Sequence, residues 1–215
     1  MATIEPWTDD SPARLSALVK SLLHTNRVVA FPTETFYGLG VDPFERRAVE
    51  QLLELKGSRD GKPILVLIGE RKQLGLFTPA LSPATEALIE ACWPGPLTLV
   101  LPAAPSLPEN LTGGSGSIGV RWTSHRRLAA LLRVVGPMTG TSANRSGAAP
   151  ANTAEEVEAA LGAAVDLILD GGRTAGGLPS TVFDVRPPLR MIREGAVTRQ
   201  MIQNVLEKRG VEWQG

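Results

Sequence analysis

Cysteine is nearly missing from this chain: Cys92 is the single one among 215 residues. One thiol closes no intramolecular disulfide and builds no Cys-rich metal site. Histidine is almost as scarce, with His24 inside an ordinary helical pattern and His125 near the start of another. No HExxH pair, carboxylate-rich calcium loop or GxSxG elbow occurs, which sets aside metal hydrolysis and serine-hydrolase chemistry. Net charge is absent too, with 22 basic residues against 22 acidic ones. No global field draws in nucleic acid, so a polyanion must be met by a local basic patch. Neutrality and a single tyrosine argue against a strong base-stacking platform. No apolar run approaches the ~20 residues that span a bilayer. The start, MATIEPWTDD, lacks the basic head and apolar core of a secretory signal. The expectation is a cytoplasmic protein with no membrane partner.

What is present is an α/β pattern. Hydrophobic residues make up 43% and charged residues 20%, ordinary for a soluble domain. Residues 11–24 read as a helix with Ser11 as cap and Pro12 in the first turn, and further helices are predicted over 45–57, 82–93, 124–133, 153–162 and 198–210. Gly57 is the expected stop of the second helix, and Thr153 with Glu156 spells a capping box. RVVAF (27–31), ILVLI (64–68), LTLVL (97–101) and SIGVR (117–121) are short apolar strands, followed late in the chain by DLILD, TVFDV and LRMIR. The alternation predicts an α/β fold around a twisted sheet, and the closely spaced late strands predict antiparallel pairs, hence a mixed parallel/antiparallel sheet with flanking helices. The Pro- and Gly-rich stretch 102–116 is a long loop, yet the pattern resumes unchanged after it, so residues 1–215 read as one domain with a core over about 10–208.

Two glycine motifs are decoys. GSRDGKP (57–63) has three residues between its glycines, and Pro63 follows the lysine, so it lacks the spacing of a phosphate loop. Gly114-Ser-Gly-Ser-Ile-Gly119 opens a strand, whereas a dinucleotide fingerprint opens a helix. More telling are polar clusters where predicted strands end: Thr33-Glu34-Thr35 after RVVAF, Arg121 after SIGV, Thr141-Ser-Ala-Asn-Arg-Ser-Gly147, Ser180-Thr181 and Arg193. Ligand sites in open α/β sheets gather at such ends. Hydroxyls, an amide and forked cations suit anions, and the lack of an evident nucleophile suits charge-stabilised phosphoryl or nucleotidyl transfer. Singly, each has a plainer reading: Thr33, Thr35, Ser142 and Asn144 as turn residues, Lys56 as a helix C-terminal cation, Ser180 as a strand start, Arg121 and Arg193 as surface charges.

Taken in order, PTETFYGLG, KGSRDGKPILVLI, WPGPLTLVL, GVRWTSH, TSANRSG, STVFDV and IREGAV resemble the YrdC-like family of threonylcarbamoyl-AMP synthases, over roughly residues 15–200. The chain resembles the short form, without an added C-terminal domain. The resemblance implies a YrdC-like open fold with a large concave cavity. It also implies synthesis of L-threonylcarbamoyl-adenylate and pyrophosphate from L-threonine, bicarbonate and ATP. ATP would enter as a substrate with Mg2+, with no tightly bound cofactor. The product would serve a downstream tRNA threonylcarbamoyl-transfer machinery. By the same resemblance Thr33, Arg121 and Ser180 would bind threonine. Lys56, Arg59, Ser117, Ser142, Asn144 and Arg193 would bind ATP, with Lys56 and Arg121 central to catalysis. The sequence departs from the family pattern at three places. Lys56-Gly57-Ser58-Arg59 replaces K-x-R-P, so the arginine sits one place late, with Lys62 as its alternative. Thr123 stands where the family often has proline, and Leu67 where many members have histidine.

Two other functions compete. One is an RNA-binding or ribosome-maturation paralogue with tRNA or RNA contact, using the arginines at 121–133 and 186–199. The other is a carbamoyl-adenylate enzyme of a different pathway.

Overall fold

The run RVVAF becomes a strand buried on both faces, and its neighbours organise half of the molecule. In this computed structural model, which describes residues 2–8, 12–57 and 63–213, the first elements are β1 (Thr3–Pro6), α1 (Pro12–His24), β2 (Val29–Pro32), β3 (Tyr37–Gly40) and α2 (Arg46–Lys56). Next come β4 (Leu65–Ile68), a 3-10 turn (Arg71–Leu76), α3 (Pro83–Cys92), β5 (Leu97–Pro102), α4 (Glu109–Thr112) and β6 (Ser117–Trp122). The chain continues through α5 (Arg126–Val135), β7 (Met138–Thr139), β8 (Thr141–Ser142), α6 (Ala154–Leu161) and β9 (Leu167–Asp170). It closes with β10 (Thr181–Asp184), β11 (Arg190–Arg193) and α7 (Arg199–Glu207).

The fold is mixed α/β, as the alternation predicts, but its strands form two sheets. One has the order β1-β9-β2-β3-β8 and the other β11-β10-β5-β6-β4-β7. Each mixes directions: β9 lies parallel to β1 and β2, while β2 and β3 form an antiparallel hairpin. In the second sheet β10 is parallel to β5 and antiparallel to β11. The late strands therefore part company. β10 and β11 pair as expected, whereas β9 leaves for the first sheet.

Alternation along β2 and β9 explains two cores. Ala30 and Ile168 face the larger core with Leu99, Val120 and Phe183. Val29, Phe31, Leu167 and Leu169 face the smaller one, where Val19 and Leu23 of α1 meet Leu128 and Leu132 of α5. Strands covered on both sides read as continuous apolar runs, which is why RVVAF shows no polar alternation. Helix ends follow local chemistry. Ser82 and Thr153 accept from the backbone N–H of Thr85 and Glu156, while Gly57 ends α2 in the left-handed conformation at φ 64°. Glu156 reaches back to the backbone N–H of Asn152, one residue before the cap. The proposed cap Ser11 lies outside the described residues. The stretch 102–116 is partly ordered by α4 and by Ser115, whose hydroxyl donates to Thr112 O at 2.7 Å.

Candidate functional site

The face of the second sheet turned toward the β2–β3 hairpin forms the floor of a cavity of about 1110 Å³. A strand shows alternate residues to one face. Thr98 and Val100 of β5, Ser117, Gly119 and Arg121 of β6, and Val182 and Asp184 of β10 meet that condition and line the cavity. The register sets Val182 beside Thr98 and Asp184 beside Val100. Thr33 and Thr35 come in from the hairpin turn, Lys56 from the end of α2, and Ser142 and Asn144 from the segment after β7. Ser180 and Arg193 complete the wall. Every proposed site residue within the described part of the chain thus lines one cavity. Arg59, and its alternative Lys62, lie outside the described residues.

The hairpin turn is built by its own hydroxyls. Thr33 Oγ1 donates to Phe36 O at 2.7 Å and accepts from Thr35 N at 3.1 Å. The plain turn reading of Thr33 therefore holds together with its place on the cavity wall. Phe36 and Tyr37 also line the cavity; Tyr37 is buried in the core, and its hydroxyl donates to Gly172 O at 2.8 Å. Burial, then the Asp170 carboxylate, raises the Tyr37 phenol to about 12.

Arg121 is the deepest cation, with 4% of its side chain exposed. Its Nε lies 3.6 Å from Glu34 Oε1. Burial lowers its proton affinity and the Glu34 charge pulls it back. Arg193 donates from Nη2 to Ser180 O at 2.8 Å, and the Ser180 hydroxyl shares a 3.1 Å hydrogen bond with Thr98. Burial and then the Arg121 charge lower Arg193. Two guanidiniums lining one cavity create a field there that favours an anion. Gly195 lets this wall close: a Cβ there would stand 2.1 Å from Pro179 O.

Lys56 holds the opposite wall. Its ammonium donates to Ser142 O at 2.7 Å, Asn144 O at 2.6 Å and Asn144 Oδ1 at 3.0 Å. The partners are carbonyl oxygens of residues far away in sequence, and burial lowers the ammonium to about 8. Ser117 is buried and shares a 2.8 Å hydrogen bond with Ser115. At the far end Arg186 forks onto Asp184, with Nε at 2.9 Å from Oδ1 and Nη2 at 2.7 Å from Oδ2. Arg190 stands 4.0 Å from the same carboxylate. Among the described residues lining the cavity, Lys56, Arg121, Arg186, Arg190 and Arg193 face a single acid, Asp184. A protein with no net charge thus has a locally basic hollow.

A family model described as telomere recombination, for Sua5, YciO and YrdC proteins, matches residues 21–195. The chain belongs to this Sua5/YciO/YrdC family. A threonylcarbamoyl-AMP synthase of Thiobacillus denitrificans is 42% identical over 76% of this chain and 87% of that protein. One from Pyrococcus abyssi is 34% identical over 94% of this chain, which spans 58% of its length. The crystal structure of P. abyssi Sua5 complexed with L-threonine superposes with a TM-score of 0.88 at 30% identity, covering 96% of this chain and 61% of that one.

Against the Sua5/YciO/YrdC pattern, two departures acquire a physical setting. Leu67 pairs in register with Arg121 and is fully buried, and a Cβ on Gly140 would stand 2.5 Å from its Cγ. An apolar residue thus fills the strand position beside Arg121. Thr123 is fully buried and donates to Glu34 Oε2 at 2.6 Å, which proline cannot do. The sequence reading named neither Thr98 nor Asp184. Their signal was a polar residue inside an apolar strand, in LTLVL and TVFDV, at a position the alternation turns to one face. His125 plays a structural part: its Nδ1 accepts from Leu128 N at 3.2 Å and caps α5. Among the described residues no group of three or more His, Cys, Asp or Glu is arranged to hold a metal ion, and no helix is long and apolar enough to cross a membrane.

Proposed function

We infer that this chain is a threonylcarbamoyl-AMP synthase that joins L-threonine, bicarbonate and ATP and releases pyrophosphate. The observation that carries the reading is the single cavity that gathers Thr33, Ser180, Arg121, Lys56 and Arg193 from five separate segments. The names of its relatives and the threonine complex of P. abyssi Sua5 support it. Threonine sits at the Arg121 end. The Arg121 guanidinium takes its carboxylate, with Thr33 and Ser180 alongside. Lys56, Arg59 and Arg193 hold the phosphates, and Ser117, Ser142 and Asn144 hold the rest of the nucleotide.

The chemistry is electrostatic. The neutral amine of threonine adds to the carbon of bicarbonate and water leaves, giving a carbamate. A carbamate oxygen attacks the α-phosphorus of ATP, and the bond to pyrophosphate breaks. Two anions must meet, and their repulsion is the barrier that cations at fixed positions lower. Holding them in line also removes the entropy of a bimolecular encounter. Mg2+ arrives on ATP, as part of the substrate. Residues 1–215 act as one cytoplasmic domain, and the adenylate passes to the machinery that transfers threonylcarbamoyl to tRNA. The test is pyrophosphate release with threonine and bicarbonate omitted in turn. Release that needs both fits the reading, whereas release indifferent to threonine, or supported by carbamoyl phosphate in its place, refutes it.

A further inference from the structure

The hairpin turn presents Thr33 and Thr35 to the cavity, but Glu34 between them points elsewhere. Its side chain is not part of the cavity lining. It lies behind Arg121, 13% exposed, with Oε1 3.6 Å from Arg121 Nε. Neither of those two atoms has a hydrogen-bond partner, and both are buried. The other carboxylate oxygen is fixed: Thr123 Oγ1 donates to Oε2 at 2.6 Å, and the same Oγ1 accepts from His125 N at 3.1 Å. A chain of contacts therefore runs from the start of α5, through Thr123, to a carboxylate facing the Nε edge of the guanidinium.

Physical chemistry gives this arrangement a purpose. A guanidinium offers five N–H donors in a rigid planar fork, and with its Nε edge turned to Glu34 the Nη groups remain to grip a carboxylate. A carboxylate behind the Nε edge orients that fork without occupying it. It also supplies the countercharge that a nearly fully buried cation needs while no ligand is bound. Spanning 3.6 Å, the contact is an ion pair that stops short of a hydrogen bond, so it steers without locking.

We propose that Glu34, held by Thr123, is a positioning residue that aims the Arg121 fork at the carboxylate of the amino-acid substrate. The proposal rests on the assignment of Arg121 to that carboxylate. The middle residue of Thr33-Glu34-Thr35 then belongs to the site through Arg121, while its two neighbours belong to it directly.

The test is steady-state kinetics of pyrophosphate release for Glu34→Gln and Thr123→Val, with Thr123→Ser as the conservative control. Glu34→Gln keeps the size and the acceptor for Thr123 but removes the charge. The expected result is a threonine KM raised about tenfold, with kcat and the ATP KM within about twofold, because the lost term is orientation of the amino acid. Thr123→Val shifts threonine KM in the same direction by a smaller factor, and Thr123→Ser restores it. On an Arg121→Lys background, Glu34→Gln adds no further loss, since the fork it aims is gone. If Glu34→Gln does not fold, the Thr123 pair decides alone. A lowered melting temperature with threonine KM unchanged, or an equal loss on the Arg121→Lys background, overturns the proposal. Wild-type turnover without threonine dependence instead refutes the proposed function beneath it.

Discussion

Lys56 offers the sharpest quantitative consequence of the structure. Its ammonium is held by carbonyl oxygens and lowered by burial to about 8. Only the protonated form attracts a triphosphate. The kcat/KM for ATP reports the free enzyme, so it should fall as pH rises through that value. For a group titrating at about 8, the protonated fraction drops from about 90% at pH 7 to about 10% at pH 9, roughly a tenfold fall. A lysine at its ordinary value would lose only a few per cent over the same range. The assay is initial-rate pyrophosphate release at limiting ATP, saturating threonine and bicarbonate, between pH 6.5 and 9.5. Lys56→Arg is the control, because a guanidinium stays charged throughout. Titration of threonine and bicarbonate affects both proteins alike, so the ratio of wild type to Lys56→Arg isolates the lysine. A ratio that falls about tenfold from pH 7 to 9 is expected. A flat ratio would show that Lys56 is not lowered, or that its charge does not serve ATP.

Thr33→Val removes a hydroxyl that both holds the turn and lines the cavity; it should cost about 1–2 kcal/mol of stability by urea denaturation and raise threonine KM while leaving ATP KM unchanged. An unaltered threonine KM would remove Thr33 from the amino-acid site. Asp184→Asn should loosen Arg186 and cost about 2 kcal/mol at pH 7. Burial alone would raise the Asp184 carboxyl, but the hydrogen bonds from Arg186 and the charges of Arg186 and Arg190 outweigh it and leave it below its usual range. A carboxyl lowered by folding stabilises above its unfolded pKa, and that contribution is lost as pH falls through the folded value. The gap between Asp184→Asn and wild type should therefore narrow toward pH 2, and equal urea midpoints at neutral pH would contradict the pairing.

Local chemistry was readable wherever it decides structure by itself. Gly57, Ser82 and Thr153 end or start helices as their residue types dictate. What pairs with what was not readable. YGLG forms β3, yet two glycines in four residues mimic a turn, and its strand geometry comes from β2 and β8 on either side. β9 resembles the other late strands in composition, but its partners are β1 and β2. One expected sheet thus became two. The site followed the same division. Its cations and hydroxyls stand in the sequence as clusters at strand ends, and family motifs carried them further. The contacts that tune them join distant residues: Lys56 reaches Ser142 and Asn144, and Glu34 reaches Arg121 and Thr123. No local pattern encodes such pairs. Asp184 and Thr98 were hidden because a single polar residue in an apolar strand gains meaning only when the covered face is known.

The most direct test of the account is isotopic. The protein is incubated with ATP, Mg2+, L-threonine and 13C-bicarbonate, and the products are resolved by mass spectrometry. The account predicts a new adenylate whose mass equals AMP joined to threonine through one labelled carbonyl, formed only when all three substrates are present and matched by pyrophosphate. Cleavage of ATP that leaves the label in bicarbonate, or a labelled adenylate formed without threonine, would contradict it.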